Sequence, residues 1–296
     1  MSDRYEAAAL VALLRRGGRI WHLVSDEIEE RGSAIAILDE TSLSADLTLF
    51  PAQTDQRIEE DLDAVVAEIG EWEAEGIRLV TVLDDDYPQN LRAIHNRPPL
   101  LFLRGSLLAG DARAIAVVGT RQVSPDGLRQ ATAMAEDLSA HGFTIVSGLA
   151  AGVDTAAHRA ALDSGRRTVA VIGTGIRRSY PAVNAELQER IAAEGAVVSQ
   201  FWPDAPPRRQ SFPMRNIVMS GIALATVVIE ASHTSGARMQ ARIALEHGRP
   251  VFLMRSLLSH DWARAYAERP GTHVVGSAIE VAEHVERLTS LDALSA

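Results

Sequence analysis

The sequence predicts an α/β fold: a doubly wound, mostly parallel sheet preceded by a small N-terminal helical domain. Three observations predict it. After Asp111, short continuous Val/Ile runs alternate with helical segments, the pattern of strands buried on both faces. Before Gly76, apolar positions fall at helical spacing. Charge divides in the same place: residues 1–110 carry 21 acidic side chains against 10 arginines, whereas residues 111–296 carry 18 against 19. The organisation that follows is an acidic helical domain over 1–76, an extension over 77–110 and the doubly wound domain over 111–290.

The elements read in order as follows. "YEAAALVALLRRGG" is an Ala/Leu-rich helix stopped by a glycine pair, and "DQRIEEDLDAVVAEIGEWEAEG" is an amphipathic helix with an acidic face. Between them, "GSAIAILDETSLSADLTLFPAQ" reads as a short helix and then a loop. From Ile77 a β-rich run, an Asp/Pro turn, a short helix and the Pro98-Pro99 pair lead to another apolar run. Then come "AIAVV" with a helix from Ser124 to Ala140, "FTIVS" with one from Val153 to Leu162, and "TVAVIG" with one from Asn184 to Ala193. After these come "AVVS", "TVVIE" with a helix from Gly236 to Glu246, "PVFLM", "HVV" and a last helix near Ala278 to Leu288. Ligands of such sheets bind where strand ends pass into helices.

Composition removes several chemistries. The chain has no cysteine, so disulfides, thiolate metal sites and cysteine nucleophiles are excluded. All 29 basic residues are arginine, which excludes Schiff-base chemistry and lysine-dependent phosphate loops. No metal-ligand spacing occurs and no cofactor is expected. The polar start and the lack of a long apolar run predict a cytoplasmic protein without a membrane association.

Three strand ends carry the candidate anion site. Gly119-Thr120-Arg121, Gly173-Thr174-Gly175 and Ser235-Gly236 each follow an apolar run, where backbone N–H groups at helix starts attract phosphate or carboxylate. Asp154 and His158, at i and i+4, read first as a helix-start Asp with a structural His, and second as a metal or acid–base pair. Asn184 is placed to cap a helix, and Tyr180 either stacks on a base or packs. In "PPRRQSFPMRNIVMSG", Arg208, Arg209 and Arg215 surround Phe212, which suits a single strand whose backbone meets charge and whose bases stack on rings. Arg166, Arg167, Arg177 and Arg178 add to the local positive excess; the alternative for this region is a solvated loop face.

The stretches "DDDYPQNLRAIHNRPPLLFLRGSL", "VVGTRQVSPDG", "IVSGLAAGVDTAAHRAAL", "VAVIGTGIRRSYPAVNAEL", "SFPMRNIVMSG" and "VVIEASHTSGA" follow the order and spacing of the bacterial DNA-processing protein A (DprA, or Smf) family, which the chain resembles from about Leu79 to Val251. The resemblance implies a Rossmann-like core behind a small helical domain. It also implies sequence-blind binding of single-stranded DNA, self-association as a homodimer, and loading of a RecA-type recombinase in natural transformation. By motif position it implies that Arg121, the Ser147-Gly148 turn and the segment from Phe212 through Arg215 to Asn216 line the DNA pocket. The family's R-N-R appears here as Arg215-Asn216-Ile217 and its S-G-S-L as Ser235-Gly236-Ala237-Arg238, so that Arg238 returns a charge to the neighbourhood. Its P-G appears as Met254-Arg255, its S-E as Ser199-Gln200, and the family's C-terminal winged helix is not expected. These departures suggest a divergent branch, with phage defence and a cassette partner protein as a further expectation.

The resulting expectation is a DNA-binding protein, not an enzyme. The alternatives are a nucleotide-binding sensor, and a nucleotide hydrolase of the related "lonely guy" type, whose glycine-rich motif is missing; Glu230, the one well-placed carboxylate, reads first as a satisfied strand-end residue and second as an acid–base or ribose-binding group. Arg121→Ala and Arg215→Ala are each expected to weaken binding to every sequence while leaving thermal stability nearly unchanged.

Overall fold

A computed structural model describes residues 2–45, 54–233 and 235–295. The loop expected after "GSAIAILDE" falls in good part on 46–53, outside the described residues. The chain divides into two compact units, one of Met1–Tyr87 with His95–Leu103 and one of Pro88–Ile94 with Arg104–Ala296. The segment read as an extension, 77–110, contributes to both.

Among the described residues, the first unit holds the helices α1 (Ser2–Arg15), α2 (Trp21–Arg31), α3 (Ala34–Ala45) and α4 (Thr54–Ala74), and the antiparallel pair β1 (Arg78–Thr81) and β2 (Leu100–Gly105). Its core gathers Leu10, Leu13, Ile28, Leu38 and Ile69, with Trp72 edge-on to Phe102 at 5.2 Å between centroids. Arginines lie among its acidic side chains: Arg15 bonds Glu68 at 2.6 Å, and Arg97 bonds Asp26 at 2.8 Å.

The second unit opens with the short α5 (Gln89–Arg92) and then alternates strand and helix. In order it has β3 (Ala114–Val118), α6 (Pro125–Ala140), β4 (Thr144–Ser147), α7 (Val153–Asp163), β5 (Thr168–Val171), α8 (Ala185–Glu194) and β6 (Ala196–Ser199). There follow α9 (Ser211–Ile222), β7 (Ala225–Val228), α10 (Gly236–Glu246), β8 (Val251–Met254), α11 (Asp261–Ala267), β9 (Thr272–Val275) and α12 (Ala278–Ser295). Strands β3 to β8 are buried along their whole length, as their Val/Ile/Ala content requires.

These strands are parallel and lie in the order β6-β5-β4-β3-β7-β8-β9. The chain winds outward from β3 to β6, then returns to place β7 on the other side of β3. Loops leaving β3 and β7 therefore diverge and open a crevice at the C-terminal edge, the switch point where such sheets take ligands. Helix α9, which crosses under β3, β4 and β5, was not legible as a helix. Pro213 sits in its first turn, where a missing N–H costs nothing, and Gln210 precedes it without a side-chain cap.

Candidate nucleic-acid interface

The crevice is an open cleft of about 510 Å³. The loop after β3 supplies Gly119, Thr120, Arg121 and Gln122; α9 supplies Phe212, Arg215 and Asn216; the segment entering α10 supplies Ser235, Gly236 and, one turn on, Gln240. Backbone bonds fix the first loop. Thr120 N–H donates to the Glu230 carbonyl at 2.7 Å, and Val153 N–H donates to the Thr120 carbonyl at 3.3 Å. Gly119 leaves no room for a side chain, since a Cβ would strike Val153 and stand 2.9 Å from the Glu230 carbonyl oxygen.

Arg121 is exposed, and its guanidinium lies over the Phe212 ring at 5.1 Å from the centroid. Phe212 in turn meets Tyr180 at 5.8 Å and 45°, and Tyr180 is 42% exposed. Cation and rings thus form a ledge. A smaller cavity of about 70 Å³ runs beside it under Gly173, Tyr180 and Pro181 and shares Arg121, Phe212 and Arg215 with the cleft.

Arg215 lies beneath the ledge, 7% exposed, and its Nη1 donates to the Val171 carbonyl at 3.1 Å. Gly148 makes this seat possible, because a Cβ there would overlap Nη1. Asp154 is buried alongside and accepts from the amides of Gly148 and Ala150 at 3.2 and 3.3 Å. Burial pulls the Arg215 pKa down; Asp154 opposes that shift and Arg121 adds to it. Burial likewise pushes the Asp154 carboxyl up, opposed by Arg215. An arginine keeps its proton under such stress. The cleft floor therefore holds a desolvated cation whose Nε has no partner among the described residues. This burial corrects the expectation that replacing Arg215 spares stability.

The structure brings together Gly119, Thr120, Arg121, Phe212, Arg215, Asn216, Ser235 and Gly236 around the cleft, with Gly148 and Gly173 at the adjoining cavity. Three expected site residues lie outside both linings. Ser147 is fully buried and donates to the Val117 carbonyl at 2.7 Å, tying β4 to β3. Gly175 packs where a Cβ would overlap the carbonyls of Trp202 and Pro203. Arg238 turns away to the His233 carbonyl at 3.2 Å and toward the Tyr266 ring. Part of the wider positive excess is neutralised: Arg167 pairs with Asp111 at 2.7 Å and Arg177 with Asp204 at 2.6 Å, whereas Arg178 donates to the Asp204 carbonyl at 2.7 Å and Arg209 lines the cleft.

Candidate catalytic groups are engaged structurally. Glu230 accepts from Ser124 Oγ at 2.7 Å and from its amide at 3.2 Å, so it anchors the start of α6. Thr168 Oγ1 donates to the Ile145 carbonyl at 2.7 Å, so the His158 Nδ1 proton is donated to Thr168 Oγ1, also at 2.7 Å. Burial pushes the His158 pKa down to about 3, with Arg215 adding to the shift. His158 is thus a neutral structural residue. No group of three or more metal-ligating side chains occurs among the described residues. Asn184 does not cap α8 with its side chain; its amide donates to the carbonyl of Leu149, a residue at φ 54, and to Thr155 Oγ1 at 2.8 Å. No helix among the described residues is long and apolar enough to cross a membrane.

Residues 78–278 match the family described as DNA recombination-mediator protein A. DNA processing protein DprA of Streptococcus pneumoniae is 41% identical over 172 residues, 58% of this chain and 61% of that protein. The X-ray structure of DprA from Streptococcus pneumoniae superposes with a TM-score of 0.70 at 30% identity, covering 94% of this chain and 96% of that one. DNA processing protein A from Helicobacter pylori, described for its single-stranded DNA binding mode, shares the fold with a TM-score of 0.63 at 24% identity, over 71% of this chain and 96% of that one. The chain spans about half to two-thirds of the length of the curated relatives it matches.

Proposed function

The chain belongs to the DNA recombination-mediator protein A family, and on that premise we propose that its second unit binds single-stranded DNA in the cleft at the β3/β7 switch point. One observation carries the reading: Arg121 lies over Phe212 with the buried cation of Arg215 beneath, all on one open cleft. Phosphates meet Arg121 and the positive end of α10; bases stack on Phe212 and Tyr180. The Helicobacter pylori relative's described binding of single-stranded DNA supports this assignment. The protein acts as a binder and not as a hydrolase, because Glu230, the carboxylate a nucleotide hydrolase would use, is committed to Ser124. Self-association and delivery of the strand to a recombinase belong to the same reading.

Fluorescence anisotropy with a labelled oligo-dT at two salt concentrations tests it, with duplex and thymidine monophosphate as competitors. The strand is expected to bind with an affinity that falls steeply with salt and resists both competitors. Displacement or cleavage of the mononucleotide in place of strand binding would overturn the reading.

A further inference from the structure

Tyr266 of α11 carries two guanidinium groups. Arg269, just beyond α11, lies over its ring at 4.1 Å from the centroid, and Arg238, in the first turn of α10, lies at 5.7 Å. The ring is a fixed support: Tyr266 is 3% exposed, Trp262 meets it edge-on at 5.7 Å and 77°, and the Trp262 indole N–H donates to the Ala231 carbonyl at 3.3 Å. Helix α11 is thereby tied to the loop that leads into α10.

Neither arginine has an ion pair among the described residues, whereas their neighbours Arg242 and Arg264 pair with Glu246 and Asp261. Glu268, the acid beside Arg269 in sequence, pairs with neither. Stacking takes the flat face of a guanidinium and leaves the N–H groups on its rim unspent; a carboxylate would occupy them. Arg238 spends Nη1 on the His233 carbonyl at 3.2 Å, with His233 Nε2 at the same distance. Its Nε and Nη2, and every nitrogen of the exposed Arg269 guanidinium, make no hydrogen bond among the described residues. The two charges stand within roughly 10 Å of each other, the screening length at 0.1 M salt, so each raises the cost of the other until phosphate joins them.

We propose that Arg238 and Arg269 hold further phosphates of the bound strand, outside the cleft and past the first turn of α10. The inference rests on the single-stranded DNA reading of the cleft. Continuity carries the strand there. Gly236 and Met239 line the cleft, and Arg238 lies between them in sequence but about 200° round the helix axis from Gly236. A strand leaving over Gly236, where a Cβ would meet nothing within 4 Å, crosses one helix width, about 10 Å with side chains, to reach both guanidinium groups. Phosphate contacts read no base, so the pair adds length and affinity to the site without sequence preference. Arg238, expected in the cleft, thus serves the strand from beyond it.

The test is strand length. Oligo-dT of about 5 and about 16 nucleotides, spanning common single-strand site sizes, is titrated by anisotropy against the full chain and its variants at several salt concentrations. The variants are Arg238→Gln, Arg269→Gln, their combination, and Arg242→Gln, which removes an equal charge from α10 at a residue already paired with Glu246. The longer strand is expected to bind the combined variant roughly tenfold more weakly. Its salt slope should fall by about 0.7 for each single variant of the pair and about 1.4 for both. The shorter strand, which the cleft holds alone, should bind all variants as it binds the wild type, and Arg242→Gln should leave both salt slopes unchanged. Every variant should melt with the wild type, because the replaced side chains are exposed or half-buried and Gln keeps most of the stem. Equal losses for short and long strands, an equal loss in Arg242→Gln, or no loss in the combined variant would overturn the inference and leave the cleft reading standing. Failure of both strands to bind the wild type would overturn both.

Discussion

Gly148→Ala isolates the seat of Arg215 without touching any charge. The added methyl would overlap Arg215 Nη1 and stand 2.7 Å from Nη2, so the guanidinium must leave its place and its bond to the Val171 carbonyl. A hydrogen bond from a charged group contributes about 1.5–3 kcal/mol. The displaced guanidinium moves toward the cleft and regains part of its hydration, which brings the expected loss to about 2 kcal/mol. In a domain of this size that lowers Tm by about 4–8 °C. Binding should weaken by about tenfold to a hundredfold as one organised cation is lost, about 1.4 kcal/mol per decade. The salt slope should stay close to that of the wild type, because Gly148→Ala removes no charge. Thermal melts and anisotropy titrations read both. The decisive comparison is the double variant: in an Arg215→Ala background, Gly148→Ala should cost less than about 0.5 kcal/mol, because the group it displaces is gone. Additive losses, or a Gly148→Ala protein that melts and binds like the wild type, would mean that Gly148 does not seat the Arg215 guanidinium.

Other substitutions separate binding from folding. Arg121→Ala should weaken oligo-dT binding and lower the salt slope by about 0.7 while moving stability by no more than about 0.5 kcal/mol, because the side chain is exposed. Phe212→Leu should lose about 1–3 kcal/mol of strand affinity in the same titration, the contribution of one stacked base. Glu230→Gln should lower stability by about 1 kcal/mol through the weakened start of α6 and leave strand affinity unchanged. His158, neutral in the fold with a pKa of about 3 against about 6.5 when unfolded, makes the unfolded chain bind more protons between those values. Stability should therefore fall as pH drops, by about 2 kcal/mol from this group between pH 7 and pH 5, and His158→Gln should flatten that part of the melting profile.

The strands were legible because burial on both faces demands uninterrupted apolar side chains, and the runs at Ala114–Val118, Thr168–Val171 and Ala225–Val228 have little else. The start of α10 was legible from the helical pattern that begins at Gly236, and the fold adds Ser235 as its cap. Helix α9 was hidden because Pro213 and the neighbouring arginines read as loop, and that disguise made Arg215 look exposed. Arg167 and Arg177 read as free cations because their partners, Asp111 and Asp204, are distant in sequence and only the fold brings them together. Gln240 had no legible signal at all: on a helix an amide between alanines reads as surface, and only the packing of α10 buries it.

In the proposed function a single strand lies on the ledge of Arg121, Phe212 and Tyr180. Photo-crosslinking of a bromodeoxyuridine-substituted strand, with the crosslinked peptides mapped by mass spectrometry, tests it most directly. Crosslinks are expected at Phe212 and Tyr180, and they should disappear when excess unlabelled strand is added. Crosslinks confined to other surfaces, with none on these two rings, would contradict it.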